Sequence, residues 1–117
     1  MTIIRDHDAP RASGPFGGER YLAHTDNLML VVWDFDHGPA EAPDPPHAHP
    51  HEQITYVAEG EVLFFIEGEG HHLRVGDMIT VPGGVQHTIQ VLTPHVRLVD
   101  AFTPVREDFL PDTPPEV

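Results

Sequence analysis

From Gln53 to Leu92 the chain reads QITYVAEGEVLFFIEGEGHHLRVGDMITVPGGVQHTIQVL. Short runs of Val, Ile, Leu, Phe and Thr alternate with glycine-bearing breaks, leaving few windows that could hold a helix. The pattern predicts strands at Gln53–Ala58, Val62–Glu67, His71–Arg74, Met78–Val81 and His87–Leu92, with turns at Gly60, Gly68–Gly70, Gly76–Asp77 and Gly83–Gly84. Outward from this block, Leu28–Phe35 and Val96–Phe102 have the same character, the second after a Thr93–Pro94 turn. Strands this short at this spacing predict an all-β single domain, a sandwich or small barrel.

The chain has 117 residues, enough for one core without disulfides or a structural metal. Any metal is therefore free to be functional. Cysteine is absent, which removes thiol nucleophiles, iron–sulfur clusters and thiolate zinc sites together. The formal charge is −13, and all six basic residues are arginines scattered among acids, so nucleic acid and anionic membrane surfaces are poor partners. No apolar stretch approaches the roughly 20 residues of a membrane span, and the expected location is cytoplasmic. Met1–Gly18 and Pro111–Val117 read as loosely held arms, and Gly38–Pro46 as a proline-rich, acidic, extended connection.

The chemistry concentrates in His47-Ala-His49-Pro-His51-Glu52-Gln53. Side chains two apart on an extended chain share a face, so His47 and His49 can direct imidazole nitrogens to one point about 2 Å from each. Pro50 disturbs the alternation, and by spacing alone His51, Glu52 and Gln53 all remain candidates for a third ligand. His87, which follows Pro82-Gly83-Gly84 on a predicted strand, is the best-placed distant histidine. His7, His24, His37, His71, His72 and His95 fall in arms, turns or a hairpin and are expected to be exposed.

These residues resemble the cupin superfamily. Its first motif, G-x5-H-x-H-x3,4-E-x6-G, matches His47, His49 and Gly60, and its second, G-x5-P-x-G-x2-H-x3-N, matches Gly76, Pro82, Gly84 and His87. Glu41, Gln53 and Val91 depart from the pattern, and of these only Gln53 touches the chemistry. The resemblance implies a small β-barrel or jelly roll over residues 28–103, an N-terminal arm over 1–27 that can add an edge strand, and a C-terminal segment and tail over 104–117. It also implies one divalent ion per chain at His47, His49, Gln53 and His87, and a homodimer. With glutamine in place of glutamate all four ligands are neutral and the ion keeps its whole charge, which strengthens it as a Lewis acid and argues against oxygenase chemistry. Nickel, zinc, manganese and iron all suit such donors.

A second constellation closes the chain. Val96, Leu98, Asp100 and Phe102 alternate along one strand, and their apolar company predicts that Asp100 points inward. An inward carboxylate must be bonded to a neighbour or held for proton transfer. Arg106 follows, next to Glu107 and Asp108, where a surface ion pair would contribute little. The sequence His47-x-His49-Pro-His51-Glu52-Gln53 with the ending Asp100-x-Phe102-Thr103-Pro104-x-Arg106-x-Asp108-Phe109-Leu110 is similar to the pectin degradation protein (KdgF) family. That likeness implies an isomerase acting on 4,5-unsaturated monouronates, with Asp100, Phe102 and Arg106 at a carboxylate-bearing sugar. An iron-dependent cupin dioxygenase and a non-catalytic, metal-dependent binding or sensor module are the alternatives. The net charge of −13 would repel an anionic substrate at long range, so local cations must overcome it.

Overall fold

The computed structural model describes residues 1–14 and 17–110; the tail Pro111–Val117 lies outside the described residues. Among the described residues nine strands form in chain order: β1 (Ala12–Ser13), β2 (Glu19–His24), β3 (Met29–Phe35), β4 (Glu52–Glu59), β5 (Val62–Ile66), β6 (Glu69–Leu73), β7 (Met78–Val81), β8 (His87–Val91) and β9 (Val96–Thr103). A 3-10 turn over Glu107–Phe109 follows. No helix of the described residues is long and apolar enough to cross a membrane.

The strands pair into a six-stranded antiparallel sheet, ordered β1-β2-β3-β9-β4-β7, and a three-stranded one, ordered β6-β5-β8. Val57, Val81 and Leu98 of the first pack with Val62, Phe64 and Val91 of the second, so the two sheets close around a shared apolar core, and Met29, Val31 and Phe102 form a second buried cluster on the large sheet. Burying a Val, Leu or Phe side chain fully is worth about 1.5–3 kcal/mol, and period-two alternation puts one such group inside at every second position. The all-β, barrel-like expectation from the sequence is met.

Three local departures from the sequence reading have physical causes. The arm over 1–27, expected to be able to add an edge strand, is more ordered than that: it carries β1 and the six-residue β2, which pairs with β3 along its whole length, and Asp6 is tied down by Arg97. Its residues Glu-Arg-Tyr-Leu-Ala-His lack clean alternation, which hid the strand. The β5–β6 hairpin turns at Glu67 and Gly68 alone, both at positive φ (48° and 84°), so the strand resumes at Glu69 and Gly70 lies within it. Finally, residues 38–47 run antiparallel along the free edge of β8 as a strap: Ala40 N–H bonds Val91 O, Asp44 N–H bonds Ile89 O, and His47 and His87 exchange a reciprocal pair. Pro39, Pro43, Pro45 and Pro46 have no N–H to offer, which keeps this edge from becoming a regular strand.

Candidate metal centre and pocket

The alternation of β4 sorts the candidates at residues 51–53 by the face each presents. Gln53, Thr55 and Val57 are buried, whereas Glu52, Ile54 and Tyr56 face out, so Glu52 is directed to solvent. His51 is half-buried and its ring packs edge-on against His49 (centroids 5.5 Å), outside the histidine cluster itself. On β9 the burial of Val96, Leu98, Asp100 and Phe102 follows the expected alternation. Registers then bring the residues together: Gln53 lies opposite Phe102, and Thr55 opposite Asp100.

His47, His49 and His87 meet at the mouth of the barrel, with one ligand atom of each within 4.8 Å of the others. His47 sits on the strap beside β8, and His49 follows it with its carbonyl accepting from Gly84 N–H at 2.8 Å. Gly83 lets this loop come close, since a Cβ there would stand 2.4 Å from Pro50 O. His87 projects from the small sheet, its ring stacked parallel to Phe64 (6.1 Å).

The donor set fits a divalent cation. His87 Nδ1–H donates to Val85 O at 2.9 Å, which leaves Nε2 a lone pair, and that Nε2 is buried without a partner. Neutral His49 has one N–H for two oxygens, His51 O and Gln53 Oε1, each at 3.0 Å. With its proton on Nδ1, His49 Nε2 and Gln53 Oε1 are two acceptors facing each other, an arrangement that a cation between them would relieve. Gln53 is held in this sense because its Nε2 donates to Thr55 Oγ1 at 2.8 Å, and Thr55 in turn donates to Asp100 at 2.6 Å.

Electrostatics agree. Burial lowers the pKa of all three histidines, that of His47 to about 4, with the neighbouring rings and Arg106 adding to the effect. Although much of His47 faces solvent, its ring is crowded by His87 at 4.3 Å. At neutral pH the cluster therefore presents neutral imidazoles, the form that binds metal. Asp100 behaves oppositely: burial raises its pKa to about 6, against the lowering effects of the Thr55 hydrogen bond and of Arg106.

A cavity of about 580 Å³ opens beside the cluster, lined by His47, Gln53, His87, Asp100, Phe102 and Arg106. Arg106 grips Asp108 with both faces of its fork, Nε at 3.3 Å and Nη2 at 2.7 Å, yet only 13% of its side chain is exposed. It lies over Phe109 (4.0 Å) and Phe102 (5.3 Å), so it is a cavity wall as well as half of an ion pair. Phe102 meets His49 edge-on at 5.7 Å. Thr55 and Arg20 are the site residues that sequence reading missed. Threonine on a strand reads as an ordinary β-former, and Arg20 lay in an arm for which the sequence offered an edge strand but no bounds or inner face. The six histidines expected to be exposed are exposed.

Comparison with known proteins gives the same picture. Residues 31–101 match the Cupin domain family. The pectin degradation protein KdgF of Dickeya dadantii (strain 3937) is 37% identical over 92 residues, covering 78% of this chain and 81% of that protein. Among solved structures, KdgF from Halomonas sp. superposes with a TM-score of 0.83 at 34% identity, covering 94% of this chain and 99% of the other. An RmlC-like cupin from Shewanella frigidimarina NCIMB 400 also superposes at 0.83, with 32% identity and coverage of 94% and 96%. The chain belongs to the cupin family, and within it to the relatives of the pectin degradation protein KdgF.

Proposed function

We propose that the protein is a metal-dependent isomerase that converts 4,5-unsaturated monouronates to their linear keto form in pectin or alginate breakdown. The reading is carried by one cavity that joins Gln53, Asp100 and Arg106 to a three-histidine cluster, of which His47 and His87 line it, in a chain related to a pectin degradation protein. A divalent ion at His47, His49, Gln53 and His87, whether nickel, zinc, manganese or iron, would polarise a substrate oxygen with its full charge, because every donor is neutral.

The conversion loses no atoms. C1 becomes an aldehyde as its hydroxyl gives up a proton and the bond from C1 to the ring oxygen breaks; the ring oxygen, left as an enolate at C5, becomes a carbonyl when that proton is added to C4. Asp100 is the group that moves this proton. Its pKa of about 6 makes both protonation states accessible near neutrality. Thr55 occupies Oδ1, which leaves Oδ2 for the substrate. Arg106 binds the sugar carboxylate with the donors that Asp108 does not use, and Phe102 forms the apolar wall that orients the ring. We place the enzyme in the cytoplasm as a homodimer, joined through the outer face of the large sheet, where Leu30, Ile54, Tyr56 and Met78 are exposed.

The test is turnover of a lyase-generated unsaturated monouronate by protein of known metal content, following loss of the C4=C5 ultraviolet absorbance and the keto product by NMR. A rate above the protein-free control that disappears on chelation supports the reading; no rate above control refutes it. The Thr55–Asp100 hydrogen bond favours a second reading, a binding or sensor module in which Asp100 is structural. Binding without turnover would identify that module, and substrate-linked oxygen consumption would identify a dioxygenase.

A further inference from the structure

Arg20 stands directly opposite Trp33 in the β2–β3 pairing, and Trp33 in turn lies opposite the buried Leu98 of β9, so both side chains point to the inner face of the large sheet. There Arg20 lines the same cavity as the histidine cluster. Its guanidinium carbon is 4.2 Å from the Phe109 ring centroid and 5.3 Å from that of Trp33. Arg106 also lies against Phe109, at 4.0 Å, so two cations contact one aromatic ring. Their situations differ. Arg106 is forked onto Asp108, whereas Arg20 has no hydrogen bond or ion pair among the described residues, and its Nε is buried without a partner.

Burying an unpaired donor of a charged group costs free energy that a ligand anion would recover, and placing a second like charge nearby adds to the cost. Aromatic faces hold the guanidinium in place without consuming its donors. We propose that Arg20 is the principal carboxylate anchor of the pocket, gripping the acid group of a small sugar acid, with Arg106, restrained by Asp108, as the second cation lining the same cavity. The proposal rests on the isomerase reading for its choice of sugar acids, but it concerns binding and can be tested separately from turnover.

The chain has one tryptophan, Trp33, and it sits against Arg20, so its fluorescence reports occupancy without any reaction. Metal-loaded wild-type protein and variants of verified melting behaviour are titrated with D-galacturonate and with its methyl ester, which has the same ring without the charge. The wild type should prefer the acid by at least ~10-fold, the range of a charge-assisted hydrogen bond, and Arg20→Gln should abolish that preference while leaving ester binding within about 2-fold. Should Arg20→Gln fail to fold, Arg20→Lys takes its place. It keeps the charge and stem but loses the fork, and should reduce the preference by ~3-fold or more. An unchanged preference in the folded variant, equal weakening of acid and ester, or no Trp33 response to galacturonate in the wild type overturns the proposal. Turnover is assayed in parallel. A wild type that binds acids through Arg20 but converts no unsaturated uronate overturns the isomerase reading and leaves the anchor standing; turnover with an unchanged KM in Arg20→Gln does the reverse.

Discussion

Thr55 Oγ1 donates to Asp100 Oδ1 over 2.6 Å, joining neighbouring strands β4 and β9 at residues that face each other in register. The hydroxyl has one proton, so giving it to Asp100 obliges Thr55 to accept from Gln53, whose amide oxygen is thereby turned toward His49. The proton-transfer group and the ligand cluster are thus set by one buried chain of hydrogen bonds.

Asp100→Asn keeps the size of the side chain and can still accept from Thr55, but it cannot exchange a proton at carbon. The expected result is a kcat lower by ~10²–10⁴-fold with metal content unchanged, read by turnover and elemental analysis of the same preparation. Normal turnover in this variant would make Asp100 structural.

His49→Ala and His87→Ala each remove a donor with a fixed second hydrogen bond. Elemental analysis of untagged protein should find about one divalent ion per wild-type chain and little in either variant. Because the ion binds only the folded state, chelation should lower the wild-type Tm and leave the Tm of the variants nearly unmoved. Full metal retention in His49→Ala would remove that residue from the ligand set.

Arg106→Lys replaces a fork held by Asp108 with a point charge. The expected loss appears mainly in KM, by roughly 10-fold, as for an interaction present in ground and transition states alike. Unchanged kinetics would confine Arg106 to its ion pair with Asp108.

Acid should destabilise the metal-free protein in a defined window. His47 has its pKa lowered from 6.5 to about 4, so the unfolded chain takes up its proton before the folded one. The stability this group contributes is complete above 6.5 and is lost as the pH falls toward 4; His49 and His87 act in the same direction. Asp100 has the opposite sign. Its pKa is raised from 3.8 to about 6, so it costs stability as the pH rises through that interval. Melting curves of chelated protein should therefore show a steeper acid loss in Asp100→Asn than in the wild type, and parallel curves would contradict the raised pKa.

Gly83→Ala should weaken metal binding without touching a ligand, because its Cβ would stand 2.4 Å from Pro50 O and push away the loop that carries His49. Competition with a calibrated chelator reads the change. An affinity equal to that of wild type would show that the loop can give way.

How much of this was legible in the sequence depends on which residues carry a pattern. The alternation Val96, Leu98, Asp100, Phe102 and the His47–His49 spacing expose their geometry directly, since period two is a property of extended chain. Spacing alone did not separate Gln53 from Glu52; the family resemblance pointed to Gln53, and β4 shows which of the two faces inward. Thr55 was invisible, because its role depends on a partner 45 positions away in sequence. Arg20 was hidden for a different reason: β2 has three half-buried residues in succession, so no apolar rhythm announces it, and a charged residue in such a stretch reads as surface.

The reciprocal backbone bonds between His47 and His87, at 3.0 and 2.9 Å, fasten the proline-broken strap to the edge of β8. The same two residues offer their imidazoles to the cluster, so an ion held there would act as a rivet through the seam it sits on. Four prolines interrupt the strap's own ladder of donors, and its release would be a local opening that spares the core around Phe64 and Leu98. Solvent exchange at the two amides would then keep time with the arrival and departure of the metal.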